Sequence, residues 1–246
     1  MGFEDLEAEL GGGVLSVAAA CGGETILYHA DRVLPTASSI KIAIIEEIFQ
    51  QELDLAQPIM VTRADYVPGS GVLATLTPGL VLPLGDLATL AISVSDNTAS
   101  NLCLRAVGGP EAVNARLVAW GCTDTKIHRS IKFALEPADP PHTATGTTQD
   151  FVKVLSQLGS ETIKRMRQVS DTAMLPRFLE GYSCAHKPGA VTGVRNDVGV
   201  IERGGKKLTL AIFTQGCPDV RWKVDNAGCL LVAKVAQRLT EHFLGS

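Results

Sequence analysis

Alternating runs of apolar residues near both ends of the chain predict β-hairpins. Two pairs of runs, each joined through two consecutive glycines, lie at residues 14–20 with 25–29 and at residues 198–202 with 208–213. Glycine pairs are typical of tight hairpin turns, because these turns need positive φ angles. We therefore expect strands from both ends of the chain to form one antiparallel sheet.

Between these hairpins, apolar residues recur at the spacing of an α-helix. Along residues 38–53, four isoleucines fall on one helical face, which predicts a helix with one buried side. Other segments with a helical pattern predict helices at residues 3–10, 84–107, 110–120, 149–158, 161–169 and 226–243. Residues 133–148 are rich in Pro, Thr and Ala, and we expect a loop there.

This order of elements predicts an α+β fold, in which an antiparallel sheet is flanked by helices and carries an all-helical insertion. The sheet domain is expected to be discontinuous, with residues 1–35 and 186–246, and the helical domain to span residues 36–185. Ligands commonly bind in a cleft between two such parts. We expect the active site in that cleft.

Composition narrows the possible classes of function. The chain has 246 residues, of which 46% are apolar and 20% charged, as in ordinary globular proteins. Its net charge of −4 argues against binding to nucleic acid or an anionic membrane surface, and no apolar run is long enough for a membrane span. Residues 1–10 carry four acids and no base, the opposite of a signal peptide. We expect a cytoplasmic protein; a periplasmic or secreted protein trimmed to its mature form would have the same sequence.

Six cysteines are spaced singly along the chain, at Cys21, Cys103, Cys122, Cys184, Cys217 and Cys229. Because no cysteine pair or Cys/His cluster has the spacing of metal ligands, we predict neither a metal nor a cofactor. Two of the six stand in apolar runs, where a free thiol behaves as a small buried hydrophobe. Free thiols are the favoured interpretation, and one or two disulfides are the alternative.

The first segment with candidate chemistry is Ser38-Ser39-Ile40-Lys41, at the start of an apolar helix. Residues three apart share a helix face, so the Lys41 amine can lie beside the Ser38 hydroxyl. A serine becomes a nucleophile when a base takes its proton, and a lysine whose pKa is lowered by burial can be that base. The helix N-terminus also directs N–H groups at a developing oxyanion. A helix cap at Ser38 with a solvated Lys41 is the alternative.

Two more short segments carry candidate groups. In Ser95-Asp96-Asn97, the serine could pass a proton to a leaving group, and the asparagine could bind a substrate carbonyl or the lysine. In His186-Lys187-Pro188-Gly189, the lysine could attract a carboxylate, and the glycine would let a ligand lie close to the backbone. Taken alone, the first segment is more typical of a helix cap or a turn, and the second is more typical of a plain turn.

Together, the three segments resemble the S-x-x-K, S-D-N and K-T-G signature of class A β-lactamases and penicillin-binding proteins. Residues 95–102 resemble the family's S-D-N-T-A-x-N-L, residues 108–110 its G-G-P, and residues 193–200 the strand after the third motif. The similarity covers nearly the whole chain. The chain is therefore identified as a member of the penicillin-recognising, β-lactamase-like serine hydrolases, and the resemblance implies the β-lactamase/transpeptidase fold.

The resemblance also implies a role for each matching residue. The implied catalytic residues are Ser38 as the acylated nucleophile, Lys41 as general base, Ser95 as proton relay and Lys187 as the group that supports Ser95 and attracts a carboxylate. Asn97 would orient the substrate. The backbone N–H groups of Ser38 and Ala190 would form the oxyanion hole.

Two departures from the family pattern bear on activity. Counting forward from Gly108-Gly109, Ile131 stands where class A β-lactamases have the glutamate that activates the deacylating water, and Leu135 stands at the asparagine that follows. A loop shifted by five residues would bring Glu136 to the glutamate position. Pro188 replaces the threonine of the third motif and removes a hydroxyl and an N–H donor. We therefore expect weak β-lactam turnover.

Other residues are candidates with a plainer alternative. Ser70 lies in a loop that borders the cleft in the family and could contact substrate, or it belongs to a tight turn. Arg195 could hold an anionic group, or it is an exposed hairpin residue. His186 could titrate near neutrality, but a structural role on the strand is favoured. Trp120 and Trp222 are expected to pack in or against the core.

The function predicted from these residues is that of a serine hydrolase that forms an acyl-enzyme on Ser38 with an amide or ester. An esterase or peptidase-like amidase is one alternative. A β-lactam-binding acyl trap or sensor with little turnover is another, and Ile131 motivates it. In each case the partner is a small molecule: a β-lactam, an ester or a short peptide.

Overall fold

The computed structural model describes residues 1–132 and 143–245. Five strands form the main sheet: β1 (Val14–Cys21), β2 (Glu24–Tyr28), β8 (Ser183–Val191), β9 (Val194–Arg203) and β10 (Lys206–Gln215). Their order is β2-β1-β10-β9-β8, and every neighbouring pair is antiparallel. Both predicted hairpins are present, and the strands from the two ends of the chain meet where β1 pairs with β10. The predicted α+β fold is confirmed.

Eight α-helices lie within the described residues. They are α1 (Glu4–Ala8), α2 (Lys41–Gln50), α3 (Leu84–Ser93), α4 (Asn97–Ala106), α5 (Pro110–Ala119), α6 (Thr148–Gln157), α7 (Ser160–Met166) and α8 (Ala227–Leu244). Short 3-10 turns lie at Ala37–Ile40, Arg63–Asp65, Leu73–Thr75 and Leu175–Phe178. No helix within the described ranges has both the length and the apolar character to cross a bilayer.

The prediction of a single helix over residues 84–107 is wrong. The segment forms α3 and α4, which are separated at Ser95, where φ is +55°. That left-handed conformation ends a right-handed helix. Asp96 then caps α4, because its side chain accepts a hydrogen bond from the N–H of Ala99 at 2.9 Å. The apolar periodicity continues across the break, which is why the sequence pattern does not reveal it.

Two small sheets were not predicted. β3 (Leu34–Pro35), β7 (Ala144–Gly146) and β6 (Lys126–Ile127) form one in that order, and β4 (Pro58–Val61) pairs with β5 (Leu80–Pro83) in the other. Because β7 falls inside residues 133–148, the expectation of a loop is wrong for that part. Residues 133–142 lie outside the described part of the chain.

The main sheet separates two apolar cores. Along β10, Leu210 and Ile212 belong to the core beneath α1 and α8, whereas Ala211 and Phe213 belong to the core shared with the central helices. This alternation follows from the two-residue period of a strand. Phe151 of α6 meets Phe213 edge to face, with ring centroids 5.1 Å apart. Helix α6 thereby packs directly on the sheet, and the division into residues 1–35 with 186–246 and residues 36–185 stays a prediction.

The outer strand β8 meets the 3-10 turn at Ala37–Ile40. Asn196 on β9 fixes this junction, because its amide donates to the carbonyl of Pro35 at 2.7 Å and accepts from the N–H of Thr214 at 3.0 Å. The start of the predicted nucleophile segment is thereby tied to the middle of the sheet. The six cysteines are all free thiols, as the favoured interpretation expected.

Candidate active site

Ser38 lies in the 3-10 turn and lines a cavity of about 430 Å³. Ala37 before it has φ +47°, a conformation that is unfavourable for a residue with a side chain. Ser39 is buried and its hydroxyl donates to the carbonyl of Lys187 at 3.3 Å. These contacts hold the turn against β8 and leave the Ser38 side chain at the cavity surface.

Gly189 on β8 packs closely against this turn. A methyl group added at Gly189 would stand 2.9 Å from the backbone nitrogens of both Ser38 and Ser39, which is too close for a real contact. The sequence suggested that this glycine admits a ligand to the backbone. The structure shows a further reason for it, since the strand itself approaches the nucleophile segment.

Lys41 begins α2 and is 1% exposed. Its Nζ donates three hydrogen bonds: to the carbonyl of Ser95 at 2.6 Å, to Ser95 Oγ at 3.1 Å and to Asn97 Oδ1 at 2.9 Å. The alternative of a solvated Lys41 is therefore wrong. Because side chains three residues apart eclipse in a 3-10 turn, Lys41 and Ser38 face the same cavity.

The break between α3 and α4 presents Ser95 to both lysines. Lys187 is fully buried, and its Nζ donates to Ser95 Oγ at 3.1 Å and to the carbonyl of Pro188 at 2.7 Å. The hydroxyl of Ser95 thus accepts from Lys41 and from Lys187. A hydroxyl has two lone pairs and one proton, so two accepted hydrogen bonds leave its proton free to be donated.

Asp96 anchors this break through contacts on both sides of it. Besides capping α4, its carboxylate accepts from the N–H groups of Val72 at 2.6 Å and Leu73 at 2.8 Å. Gly71 lies so close that a methyl group there would overlap Asp96. A signal existed in the sequence, since Asp is a preferred cap three residues before a helical N–H, but nothing indicated its contact with residues 72–73.

Asn97 is fixed at both ends of its amide. Its Oδ1 accepts from Lys41, and its Nδ2 donates to the carbonyl of Pro68 at 3.0 Å. The backbone N–H of Asn97 donates to the carbonyl of Ser70 at 3.1 Å. The loop that contains Ser70 is therefore held beside the S-D-N segment, and Ser70 lines the cavity.

Burial and like charge dominate the electrostatics of the two lysines. Desolvation, together with the nearby ammonium of Lys187, lowers the pKa of Lys41 well below its ordinary value. Desolvation also lowers the pKa of Lys187 to about 8, although Asp197 and Asp171 oppose the shift. A lysine with a lowered pKa is neutral more often at physiological pH, which is the state that accepts a proton.

The cavity brings together eight of the nine residues to which the sequence analysis gave a possible catalytic or substrate-binding contact, Arg195 being the ninth. They are Ser38, Lys41, Ser70, Ser95, Asn97, Lys187, Gly189 and Ala190. A serine, two buried amines and a second hydroxyl in one cavity can supply the nucleophile and the proton-transfer groups for acyl transfer through a serine.

Comparison with known proteins agrees with this geometry. The model of the Beta-lactamase enzyme family matches residues 5–243. The chain belongs to this family. It is a β-lactamase-like serine hydrolase of the class that acts through an acyl-enzyme.

Individual relatives of this β-lactamase-family chain span most of its length. The carbapenem-hydrolyzing β-lactamase KPC of Klebsiella oxytoca is 32% identical over 237 residues, which cover 87% of this chain and 79% of that protein. The crystal structure of a β-lactamase from Sphaerobacter thermophilus has a TM-score of 0.87 at 29% identity and covers 99% of this chain and 98% of that one. The structure of PBP-A shares the fold, with a TM-score of 0.83 at 21% identity over 99% of this chain and 97% of that one.

In this β-lactamase-family protein, Ile131 lines the cavity at the position counted above for the deacylating glutamate. The side-chain amide of Asn101 holds its backbone, donating to the Ile131 carbonyl at 2.8 Å and accepting from its N–H at 2.9 Å. Among the cavity-lining residues that the structure describes, Asp171 is the only one with a carboxylate side chain. Leu135 and Glu136 lie outside the described residues.

Arg195 does not lie among the described residues of the cavity surface, and the view of it as an exposed hairpin residue is also wrong. It is 2% exposed. Its guanidinium donates to the carbonyls of Val191 at 2.9 Å, Val194 at 2.7 Å and Arg221 at 2.9 Å. These backbone contacts, rather than a substrate anion, occupy two of its nitrogens.

His186 is paired with a buried carboxylate. His186 is buried, with Nδ1 2.9 Å from Asp197 Oδ2, and the same carboxylate oxygen accepts from the N–H of Leu175 at 3.0 Å. This fits the structural role that was favoured.

The two tryptophans differ in exposure. The expectation that Trp222 packs in or against the core is wrong, because the residue is 64% exposed and lines the cavity. Trp120 packs against the helical core as expected.

Proposed function

We propose that this protein cleaves amide or ester bonds, those of β-lactams among them, through an acyl-enzyme on Ser38. The observation that carries the proposal is the Ser95 hydroxyl, which contacts the amines of Lys41 and Lys187 at 3.1 Å each in the cavity that Ser38 lines. The family match supports the reaction class, and the individual roles below are inferred from the contacts.

In the first step, neutral Lys41 takes the proton of Ser38. The Ser38 oxygen forms a bond to the substrate carbonyl carbon, and the negative charge that develops on the carbonyl oxygen is stabilised by the N–H groups of Ser38 and Ala190. The lowered pKa of Lys41 supports this role, because burial keeps its amine available as a base.

In the second step, the bond to the leaving nitrogen or oxygen breaks. Ser95 donates its proton to the leaving atom and is reprotonated from Lys41, while the positive charge of Lys187 stabilises the transient loss of that proton. Asn97 orients the substrate and holds Lys41 through the 2.9 Å contact. Water then attacks the ester on Ser38 and releases the acid and the free serine.

Slow deacylation makes an acyl trap the second candidate function. Ile131 lines the cavity and has no acid–base group, and loss of a general base reduces the rate of its step by about 10²–10⁴. If deacylation is this slow, a β-lactam acylates the protein once and the acyl group leaves slowly. The smaller acyl group of a short ester leaves more room for water, and such esters are turned over.

Intact-mass spectrometry and a chromogenic cephalosporin test the proposal. We expect wild-type protein to gain the mass of one ligand, and Ser38→Ala to gain none while remaining folded. Ser156→Ala is the matched control, because Ser156 is exposed on α6 and does not line the cavity. An adduct of unchanged mass and rate on Ser38→Ala would show that the nucleophile is another residue.

The lifetime of the adduct separates the versions of the function. Steady release of colour indicates a hydrolase, and an adduct that persists for hours indicates a trap. Turnover of short p-nitrophenyl esters without any β-lactam adduct indicates an esterase. Absence of adduct, of cephalosporin turnover and of ester turnover in folded wild-type protein would contradict the whole proposal.

A further inference from the structure

Trp222 is a large apolar side chain left exposed at the cavity. It is 64% exposed, in a protein whose other tryptophan packs against the core. It belongs to the segment between β10 and α8, which contributes no residue to the catalytic roles proposed above. An exposed aromatic ring that lines a cavity offers a contact surface to a ligand, because covering its apolar area is favourable.

The inner face of the Trp222 ring lies over a fixed cation. The guanidinium carbon of Arg195 is 4.8 Å from the ring centroid. Arg195 itself is immobilised by the three backbone carbonyls to which it donates. The attraction between the cation and the ring face holds the indole against the guanidinium. The low exposure of Arg195 strengthens this attraction.

The chain around Trp222 is held by its own hydrogen bonds. The carboxylate of Asp219 accepts from the Arg221 guanidinium at 2.9 and 2.8 Å and from the N–H of Ala227 at 2.9 Å. The amide of Asn226 donates to the carbonyls of Asp219 at 2.8 Å and Arg221 at 2.9 Å. Trp222 therefore projects from a braced loop, so ligand binding there loses little conformational entropy.

We propose that the outer face of Trp222 binds a planar apolar group, an aryl ring, of the substrate that acylates Ser38. This inference rests on the function proposed above and adds a substrate class to it. Met174 and Val191 also line the cavity and supply apolar contact. A cationic group is disfavoured on this ring, because Arg195 already places a positive charge against the opposite face.

Binding can be tested apart from chemistry with a single-tryptophan protein. The chain has two tryptophans, so Trp120→Phe leaves Trp222 as the only one, and Ser38→Ala prevents acylation. We expect benzylpenicillin or phenyl acetate to change the Trp222 fluorescence with saturation. We expect 6-aminopenicillanic acid or methyl acetate, which lack the ring, to change it much less. No saturable change with either aryl ligand, or equal changes within each pair, would overturn the inference.

Kinetics with the wild-type serine give the second measurement. Trp222→Ala should slow acylation by an aryl ligand about three- to tenfold relative to its ring-free partner, and Trp222→Phe should restore most of the preference. The ring lies on the acyl side of the scissile bond in benzylpenicillin and on the leaving-group side in phenyl acetate. The pair of ligands whose rate ratio changes therefore shows which side of the bond Trp222 contacts. Equal slowing of aryl and ring-free ligands would assign Trp222 a merely structural role. If wild-type protein is acylated by nothing, the proposed function fails, while the fluorescence result still decides the role of Trp222.

Discussion

The side-chain amide of Asn101 brackets the backbone of Ile131 with two hydrogen bonds, of 2.8 and 2.9 Å. The amide donates to the carbonyl and accepts from the N–H, as a neighbouring strand would. Position 131 is therefore fixed at the edge of the cavity, whatever side chain it carries. This arrangement makes the position suitable for adding the base that the chain lacks there.

Replacing Ile131 with glutamate should accelerate release of the acyl group. A carboxylate at this fixed position can activate water, and a general base typically contributes about 10²–10⁴ to the rate of its step. We expect Ile131→Glu to shorten the lifetime of the β-lactam adduct tenfold or more, measured by intact mass after removal of free ligand.

The matched control for this change is Ile131→Gln. Glutamine has the size and polarity of glutamate without its basicity, so the adduct should persist as in the wild type. Equal lifetimes for the Glu and Gln variants would show that position 131 does not reach the attacking water.

The pH dependence of acylation should reflect the two buried lysines. Only the neutral amine of Lys41 accepts a proton, so the rate should rise as pH increases through its lowered pKa. The rate should fall again above about 8, where Lys187 loses the charge that supports Ser95. Stopped-flow measurement of acylation over a pH series gives both limbs.

Lys187→Met provides the diagnostic variant for this profile. Removing the Lys187 charge raises the pKa of Lys41, because that charge helps to lower it. The rising limb should therefore move to higher pH, and the falling limb should disappear. An unchanged profile in the variant would contradict the assignment of the limbs.

Asp96→Ala should destabilise the protein and slow acylation together. The substitution leaves three backbone N–H groups without their acceptor, at residues 72, 73 and 99. Each buried donor without a partner costs about 1–3 kcal/mol, so a loss of about 3 kcal/mol or more in unfolding free energy is expected from urea denaturation. Asp5→Asn, at a surface ion pair, is the control and should leave the urea midpoint nearly unchanged. A stable but inactive Asp96→Ala would point to a direct chemical role instead.

Gly189→Ala tests the contact between β8 and the nucleophile turn. Its methyl group would stand 2.9 Å from two backbone nitrogens, so the turn must move, at a cost of about 1–3 kcal/mol. Acylation should slow because Ser38 moves with the turn. Gly159→Ala is the control, since its nearest contact would be an ordinary 3.4 Å. Wild-type acylation by Gly189→Ala would show that the turn adapts without displacing Ser38.

Much of the fold follows from local patterns in the sequence. Glycine pairs between apolar runs located both hairpins, and helical spacing located α2, α5, α6 and α8 within a few residues. The two small sheets escaped because strands of two to four residues show no periodicity. The break at Ser95 escaped because its stabilisation comes from Asp96 contacting residues distant in the sequence.

The candidate site was predictable where short motifs carry it. The three motifs located Ser38, Lys41, Ser95 and Lys187, which the structure brings to one cavity. Residues whose roles depend on contacts between distant segments have no comparable motif in the sequence. Asn196, which ties β9 to Pro35, and Trp222, which lies over Arg195, depend on pairings between segments that a linear sequence does not show.

The left-handed backbone at Ser95 lowers the stability of the fold in order to keep a hydroxyl between the two lysines. A serine at φ +55° carries conformational strain of about 1 kcal/mol that a glycine would not. Glycine at this position would therefore relax the chain while deleting the one hydroxyl shared by two amines. The chain therefore keeps a strained residue where α3 and α4 separate, at the position whose hydroxyl we propose to relay a proton.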